Sequence, residues 1–595
     1  MKVLFVCVVL LPLFIAGKFV DVTSQAGIHY QQQPPHGEDD IDCLSKQCSL
    51  QDVSGGAAIA DFDGDGWSDI YVTRLFTRNG QGENIPISDI LYKNQGDGTF
   101  KDVTSQVGLD KFVWYSAGPL FCDFDNDGDL DLFVTTISPL EEASNPKNRF
   151  YLFIYENGKY VEKSYEWGVD QDDGTVKIGK AASCGDLNND GLMDLFVSQW
   201  YPQFWPEEHP LANHTKLYIN KGDHFEDITA EQESLDIILV REHNFAGEFL
   251  DWNKDGHVDL LVSADFKRSQ YFMNDGNGNL IFETKNSLCC TGSNDMGTAF
   301  GDIDNNGQLD WFLTSMGLFE NEAEDPSKIC NNDICGNRLF LNDNGIMMDV
   351  TSEAGVRRGG WGWGASFFDM ENDGDLDLAM TNGMVTYPLT ASNGHLWENV
   401  NGVLNGLANV TIEQGFIDPY DFGLALLTLD YDNDGDLDVF ISHDIDGGTL
   451  FRNDNHNNND WMKIKTPGKG APSTNHFGKG AQITIMVDNI IHYQEMGVTS
   501  PLMGHSENTI AHFGLGKCRN GKADSVTVYF PVTDTTHHLT DVLCNQLVVI
   551  PENGDFVYET SFSSEDTSRN DNESSSSDSS SSWVILPCLL VTMCL

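Results

Sequence analysis

One nine-residue pattern occurs seven times along the chain, and no other feature constrains the fold as strongly. It first reads Asp61-Phe-Asp63-Gly-Asp65-Gly66-Trp-Ser-Asp69. It returns with Asp123, Asp125, Asp127 and Asp131, and then with Asp186, Asn188, Asp190 and Asp194. Asp251, Asn253, Asp255 and Asp259 follow, then Asp302, Asp304, Asn306 and Asp310. The last two sets are Asp369, Glu371, Asp373, Asp377 and Asp430, Asp432, Asp434, Asp438, and glycine holds position 6 every time. Successive starts lie 62, 63, 65, 51, 67 and 61 residues apart. A period of that length marks an array of supersecondary units, each burying its apolar face against its neighbours.

The flanks of each loop read as strands. Small residues precede it, as in Gly55-Gly-Ala-Ala-Ile-Ala60 and Gly297-Thr-Ala-Phe-Gly301, and suit an inner strand crowded at a propeller axis. A β-rich run follows it, as in Asp69-Ile-Tyr-Val-Thr73 and Asp438-Val-Phe-Ile-Ser442. A third strand such as Lys216-Leu-Tyr-Ile-Asn220 and a fourth such as Thr99-Phe-Lys-Asp-Val-Thr104 complete the unit. The seventh repeat stops at its third strand, Thr449 to Asn453, whereas Phe19 to Thr23 is a fourth strand with no repeat of its own. The first strand is therefore expected to complete the last blade and remove the open edges. The predicted fold is all-β: a seven-bladed propeller over residues 18–460, followed by a small β-rich domain over 461–552.

Side chains at positions 1, 3, 5 and 9, with a backbone carbonyl at 7, surround a hard cation with oxygen, and Gly at 6 permits the turn. An EF-hand needs a bidentate Glu at position 12. Here that position holds Val72, Val134, Val197, Val262, Leu313, Met380 and Ile441, all apolar. Metal-free Asx turns use the same residue types, but seven matching loops favour a shared ligand. The absence of His and Cys from the side-chain ligand positions favours calcium over zinc, and a wholly protein-built oxygen shell favours it over magnesium. About seven Ca2+ ions are expected, with loops 3, 4 and 5, where Asn replaces one Asp, releasing metal first.

The acid follows from the loops but exceeds them. With 34 basic and 91 acidic residues the formal charge is −57, which disfavours nucleic acid and anionic membranes and favours cations or basic partners. Lys2, the apolar run Val3 to Ala16 and small residues at Ala16-Gly17 read as an export signal over residues 1–17. At the other end a Ser-rich stalk (553–582) leads into 13 mostly apolar residues, Trp583 to Leu595. That layout predicts a glycosylphosphatidylinositol signal, a secreted disordered tail being the alternative. Export favours disulfides. Cys43 with Cys48, Cys330 with Cys335 and Cys518 with Cys544 are the simplest local pairs, and Cys122 and Cys184, alike in neighbouring repeats, are placed to staple two blades. Cys289 and Cys290 form a vicinal pair or bond elsewhere. Asn213, Asn409 and Asn572 head glycosylation sequons.

These loops with their strands resemble the FG-GAP or VCBS-type repeats of integrin α-subunit propellers, over roughly Phe19 to Asn453. Gly478-Lys-Gly-Ala481, His512-Phe-Gly-Leu-Gly516, Ser525-Val-Thr-Val-Tyr-Phe-Pro531 and Asn545-Gln546 resemble an ASPIC/UnbV domain, with Phe530-Pro531 where that family commonly has Trp-Pro. Together the two regions are similar to the animal cartilage acidic protein family. The resemblance implies an extracellular calcium-binding protein acting through protein partners at cell surfaces or in matrix. Some members of that family carry a C-terminal EGF-like module where this sequence has the serine tract and apolar end. The glycines of His512 to Gly516 read as turn residues, because a phosphate-binding loop would need Gly at Ala511 and Ser or Thr at Cys518.

The sequence holds no HExxH, GxSxG or cysteine-nucleophile setting, and its His residues, such as His243, His443 and the His537-His538 pair, form no spaced cluster. A non-enzymatic platform for a cell-surface receptor or matrix protein is the expected function. The alternatives are a propeller enzyme acting on glycans or lipids and an acidic calcium- or mineral-binding matrix protein. The long insertions between second and third strands gather on the face opposite the calcium loops. One of them carries Trp200, Tyr201, Phe204 and Trp205, read either as partner anchors or as a cap tucked over the channel.

Overall fold

The computed structural model describes residues 18–559, apart from 34–54, 80–83, 138–148, 170–176, 201–214, 233–242, 284–293, 318–335, 384–393 and the single positions 267, 401, 421, 446, 456 and 508. The proposed export signal and C-terminal tail lie outside these residues, as do Cys43, Cys48, Cys289, Cys290, Cys330, Cys335, Asn213 and Asn572. The stalk expected over 553–582 starts later than that: Val557–Glu559 pairs with Leu547–Val549 as a strand of the C-terminal unit, and residues 560–582 lie outside the described residues.

Among the described residues, seven antiparallel sheets of the same design follow one another. Blade 3 is typical, with strands Gly179–Gly185, Asp194–Gln199, Lys216–Asn220 and Phe225–Asp227 from the axis outward. In blade 7 the fourth strand is Phe19–Asp21, which pairs antiparallel with Thr449–Asn453, so the first strand of the chain completes the last blade. Inner strands pack on one another in chain order, and that of blade 7, Gly423–Leu429, returns to that of blade 1, Ala57–Ala60.

The crowding expected at the axis is real. A Cβ on Gly297 would collide with the carbonyl of Trp363 in the next blade, and one on Gly364 with that of Leu424. Strands here are buried on both faces, as in Ser116–Cys122 and Asp131–Thr136, because each blade lies between two others.

A hydroxyl at position 13 of every repeat joins each blade to the next. Thr73 donates to Ala117 O, Thr135 to Gly179 O, Ser198 to Phe245 O and Ser263 to Met296 O. Thr314 donates to Trp363 O and Thr381 to Leu424 O, and Ser442 closes the circle on Gly55 O at 3.0 Å. These bonds satisfy carbonyls left free where an inner strand meets its neighbour. A disulfide between Cys122 and Cys184 also links blades 2 and 3.

Residues 461–559 form two more four-stranded sheets packed over one apolar core and tied by Cys518–Cys544. This C-terminal unit does not sit apart from the ring. Its strand Gly504–Ser506 pairs in parallel with Ala57–Ala60, making blade 1 five-stranded. Leu502 and Met503 enter an apolar cluster with Phe245, Met296, Trp363 and Leu424 from the inner strands of four blades. The unit thus plugs the axis of the ring.

Candidate metal centres

The seven loops share one hydrogen-bond scheme. At position 1, Asp61 accepts the N–H groups of Asp65 and Gly66, both at 2.9 Å. Asp123, Asp186, Asp251, Asp302, Asp369 and Asp430 each accept from the same two positions of their own loops. Position 4 takes the left-handed conformation at Gly64, Asn126, Asn189, Lys254, Asn305, Asn372 and Asn433, and every Gly at position 6 has positive φ. Glycine at 6 and glycine or asparagine at 4 make that path inexpensive.

Position 9 has a second role that the spacing did not reveal. Asp69 accepts Phe62 N–H from its own loop and Asn94 N–H from the third strand. Asp131, Asp194, Asp259, Asp310, Asp377 and Asp438 do the same, and all seven are buried. This carboxylate therefore locks the loop to its blade, whatever else it binds.

The loops also hold one another. The Asn at or just past the end of a third strand reaches the preceding blade's loop: Asn220 Nδ2 donates to Phe124 O at 2.7 Å. Asn94, Asn274, Asn342, Asn399 and Asn453 make the equivalent bond to Tyr431, Leu187, Trp252, Ile303 and Met370. Blade 2 has Tyr155 there, which meets Phe62 edge-on instead. Position 4 reaches forward: Asn189 donates to Gly256 O, Lys254 to Gly307 O, Asn305 to Gly374 O, Asn372 to Gly435 O and Asn433 to Gly66 O.

Burial raises the loop carboxylates, opposed by the N–H donors and reinforced by neighbouring acids. Asp69 is pushed up to about 8, Asp123, Asp186 and Asp302 to about 7, and Asp251 to about 6. Asp131, Asp194, Asp259, Asp310, Asp377 and Asp438 rise well above the carboxylate range. A divalent cation removes that penalty by pairing the charges.

The donor set fits a hard cation. Ligand oxygens of Asp61, Asp63 and Asp69 lie within 4.8 Å of one another, as do those of Asp123, Asp125 and Asp127, of Asp302, Asp304 and Asp310, and of Asp430, Asp432 and Asp438. At position 3, Asp125 Oδ1, Glu371 Oε2 and Asp432 Oδ1 are buried with no protein donor, although buried anionic oxygens ordinarily have one. In loops 3 and 4 the amides of Asn188 and Asn253 instead donate to Asp190 and Asp255. These four-carboxylate or carboxylate-and-amide loops could hold metal ions.

The C-terminal unit roofs this face. Ala471 N–H donates to Asn126 Oδ1 in loop 2, and Asp251 in loop 4 receives Gln482 Nε2 at 2.7 Å. Lys254 of loop 4 lies 3.4 Å from the centre of the Tyr493 ring. Gly516 N–H donates to Asn372 O in loop 6, His512 Nε2 lies 2.9 Å from Gly435 O in loop 7, and Lys463 pairs with Asp430 at 2.6 Å. The turn reading of His512 to Gly516 is thereby corrected in part. Gly516 has φ of 60°, but Gly514 ends a strand, and its missing Cβ makes room for Asp369 Oδ2. The signal was present as Gly-x-Gly, but its partner lies some 140 residues away in sequence, beyond local reading.

On the opposite side, Trp200 adopts the tucked arrangement. Its indole donates to Asp265 Oδ2 at 2.8 Å and packs on Phe245 and His243. It helps close the channel rather than standing free as an anchor, and Tyr201, Phe204 and Trp205 lie outside the described residues. Asn409 is exposed on the outer strand of blade 6.

Comparison with known proteins agrees with this architecture. A family described as FG-GAP-like repeat matches residues 61–134 and 251–313, and one described as ASPIC and UnbV matches 471–555. Cartilage acidic protein 1 of Xenopus tropicalis is 24% identical over 189 residues, 32% of this chain and 26% of that protein. Its Homo sapiens counterpart is 22% identical over 222 residues, 36% of this chain and 30% of that protein. The matched stretch thus spans less than a third of these curated relatives. Among solved structures, a rhamnogalacturonan lyase of Bacillus licheniformis superposes with TM-score 0.35 and 12% identity, covering 67% of this chain and 71% of its own. The chain carries FG-GAP-like repeats and an ASPIC and UnbV domain, and is distantly similar to cartilage acidic protein 1.

Proposed function

We propose that the chain is an extracellular, calcium-loaded interaction platform without enzymatic activity. The observation that carries the calcium reading is the orphaned position-3 oxygen of loops 2, 6 and 7, buried in loops whose position-1 carboxylates Asp123, Asp369 and Asp430 accept backbone N–H groups. An apolar residue at position 12 distinguishes these cups from EF-hands, and their all-oxygen donors suit Ca2+ at up to seven sites. The ions neutralise charge on the face that receives the C-terminal unit, so they are structural in this reading.

Because that face is roofed, a receptor or matrix protein meets the other face, where the long insertions arise. Similarity to proteins named for cartilage and acidity supports a matrix setting. The disulfides agree with an oxidising compartment. The lipid anchor remains a sequence-based proposal; surface protein that resists a phosphatidylinositol-specific phospholipase would remove it. Calorimetric titration of purified protein tests the calcium reading: several ions bound per chain support it, and no binding at millimolar calcium ends it. Capture of partners from intact cells, repeated with the calcium loops mutated, tests the platform reading.

A further inference from the structure

The residue before the third-strand asparagine sits beside its own blade's metal loop, and it differs from blade to blade. It is Ile219, Met273 and Leu341 in blades 3, 4 and 5, with Ile154 at the same place in blade 2. In blade 1 it is Lys93, whose ammonium bonds Asp63 Oδ2 and also lies 2.8 Å from Asp65 Oδ2. Those are positions 3 and 5 of loop 1, two of the groups expected to hold metal. In blade 7 the residue is Arg452, but it forks onto Asp454 at 2.6 and 3.0 Å and makes no ion pair with the loop carboxylates among the described residues. In blade 6 the residue is Glu398. Position 3 keeps an orphaned oxygen in loops 2, 6 and 7, whereas in loop 1 an ammonium bonds it.

We propose that Lys93 is a built-in counter-ion that makes loop 1 a second, weaker class of calcium site, filled only when the lysine swings out. This rests on the calcium reading above and overturns the affinity order expected from ligand identity alone. By composition loop 1, with four aspartates, ranks among the tightest; with its own cation in place it fills after loops 3, 4 and 5, in a late class shared with loop 7, where Lys463 pairs with Asp430. Calcium must displace an ammonium from two carboxylates there, whereas in loops 3, 4 and 5 an apolar neighbour offers no competitor. Lys93 is only 26% exposed, yet its long stem allows the head to move to solvent without disturbing the strand.

The test is a calcium titration of the full chain by calorimetry, with bound ions counted by equilibrium dialysis. Wild type should show a late class of sites, with the loop 1 site among them. Lys93→Met should tighten that site by about tenfold, the order expected on freeing a pair of partly exposed carboxylates. Lys93→Gln serves as a second variant should the first not fold. Asp63→Asn should remove one site from the late class in wild type and the shifted site in the Lys93→Met background. A single class of sites in wild type, or a late class left undiminished by Asp63→Asn, overturns the proposal while leaving the calcium reading intact. No calcium bound at all overturns both.

Discussion

The ring and its C-terminal cap are both built from four-stranded sheets, but different forces hold them. Cap strands alternate, as in Gln482–Val487 and Lys522–Phe530, where every second residue or so is buried. Ile483, Ile485, Val526 and Val528 meet Phe513 and Leu539 in one core, and Cys518–Cys544 ties its rim. That is an ordinary apolar core. Ring strands are buried on both faces, and between them run circles of hydroxyl and amide bonds beside a stack of buried carboxylates. The ring, which also packs apolar clusters between its blades, therefore carries clustered carboxylates that answer to divalent cations, which the apolar core of the cap does not.

Chelation should separate the two most widely. A site held a hundredfold above its dissociation constant adds about 2.7 kcal/mol, so losing four such sites removes roughly 11 kcal/mol. Scanning calorimetry with excess chelator should show the ring melting far earlier than the cap. A melting profile unchanged by chelator would show that the ring does not use metal.

The next largest effect is pH, and its sign depends on calcium. In metal-free protein Asp69 and Asp369 are pushed up to about 8, chiefly by burial. The folded ring then binds more protons than the unfolded chain from about pH 4 to 8. The stability these groups give is present at low pH and is lost as pH rises through that window. With calcium bound, protons compete with metal, and stability should instead fall on acidification. The check is melting temperature from pH 5 to 8, with and without chelator; parallel curves would contradict the contrast.

What the sequence revealed was what recurs within short spans. Positions 1, 3, 5, 6 and 9 lie within nine residues, so seven copies exposed them. The lone fourth strand Phe19–Asp21 was legible because one repeat lacked its partner. The hydroxyl at position 13 in every repeat and the third-strand asparagine in all but the second were also visible, as Thr73, Ser442, Asn94 and Asn220. Their roles were not, since their partners lie on other blades. Lys93 was hidden for the same reason, 30 residues from Asp63. The cap's seat on the metal face left only a chemical trace, glycine at 514 and 516, and the acceptor for Trp200 lies 65 residues away. Spacing carries local chemistry; tertiary pairing does not show in it.

Two substitutions of intermediate cost test the seams. Gly514→Ala should force Asp369 and the Asn372 backbone apart from the cap, at about 1–3 kcal/mol. The cap should then become more open to proteolysis while keeping its own core, and unchanged protection would mean the two parts are not sealed there. Asn220→Ala should strand the buried carbonyls of Phe124 and Met193, again at about 1–3 kcal/mol. By contrast, Thr527→Ala on the exposed side of the cap should cost less than about 0.5 kcal/mol. Equal losses at Asn220 and Thr527 would erase the distinction between ring and cap.

The finest contrast lies within the ring, at the place where it closes. Ser442 accepts Ala425 N–H at 3.1 Å and donates to Gly55 O at 3.0 Å, joining blade 7 to blade 1. Ser263 makes the equivalent bond from blade 4 to blade 5, at 2.6 Å to Met296 O. Blades 4 and 5 are also consecutive in the chain, whereas blade 7 closes through the N-terminal strand and the cap strand inserted beside blade 1. If those two strands secure the seam fully, Ser442→Ala and Ser263→Ala should each cost about 1 kcal/mol, the usual loss of one buried hydrogen bond. Urea denaturation in saturating calcium measures both, and the slope should be unchanged because the same surface is exposed on unfolding. A several-fold larger loss at Ser442, or a lowered slope, would show that the closing blade is the weak joint and opens before the rest.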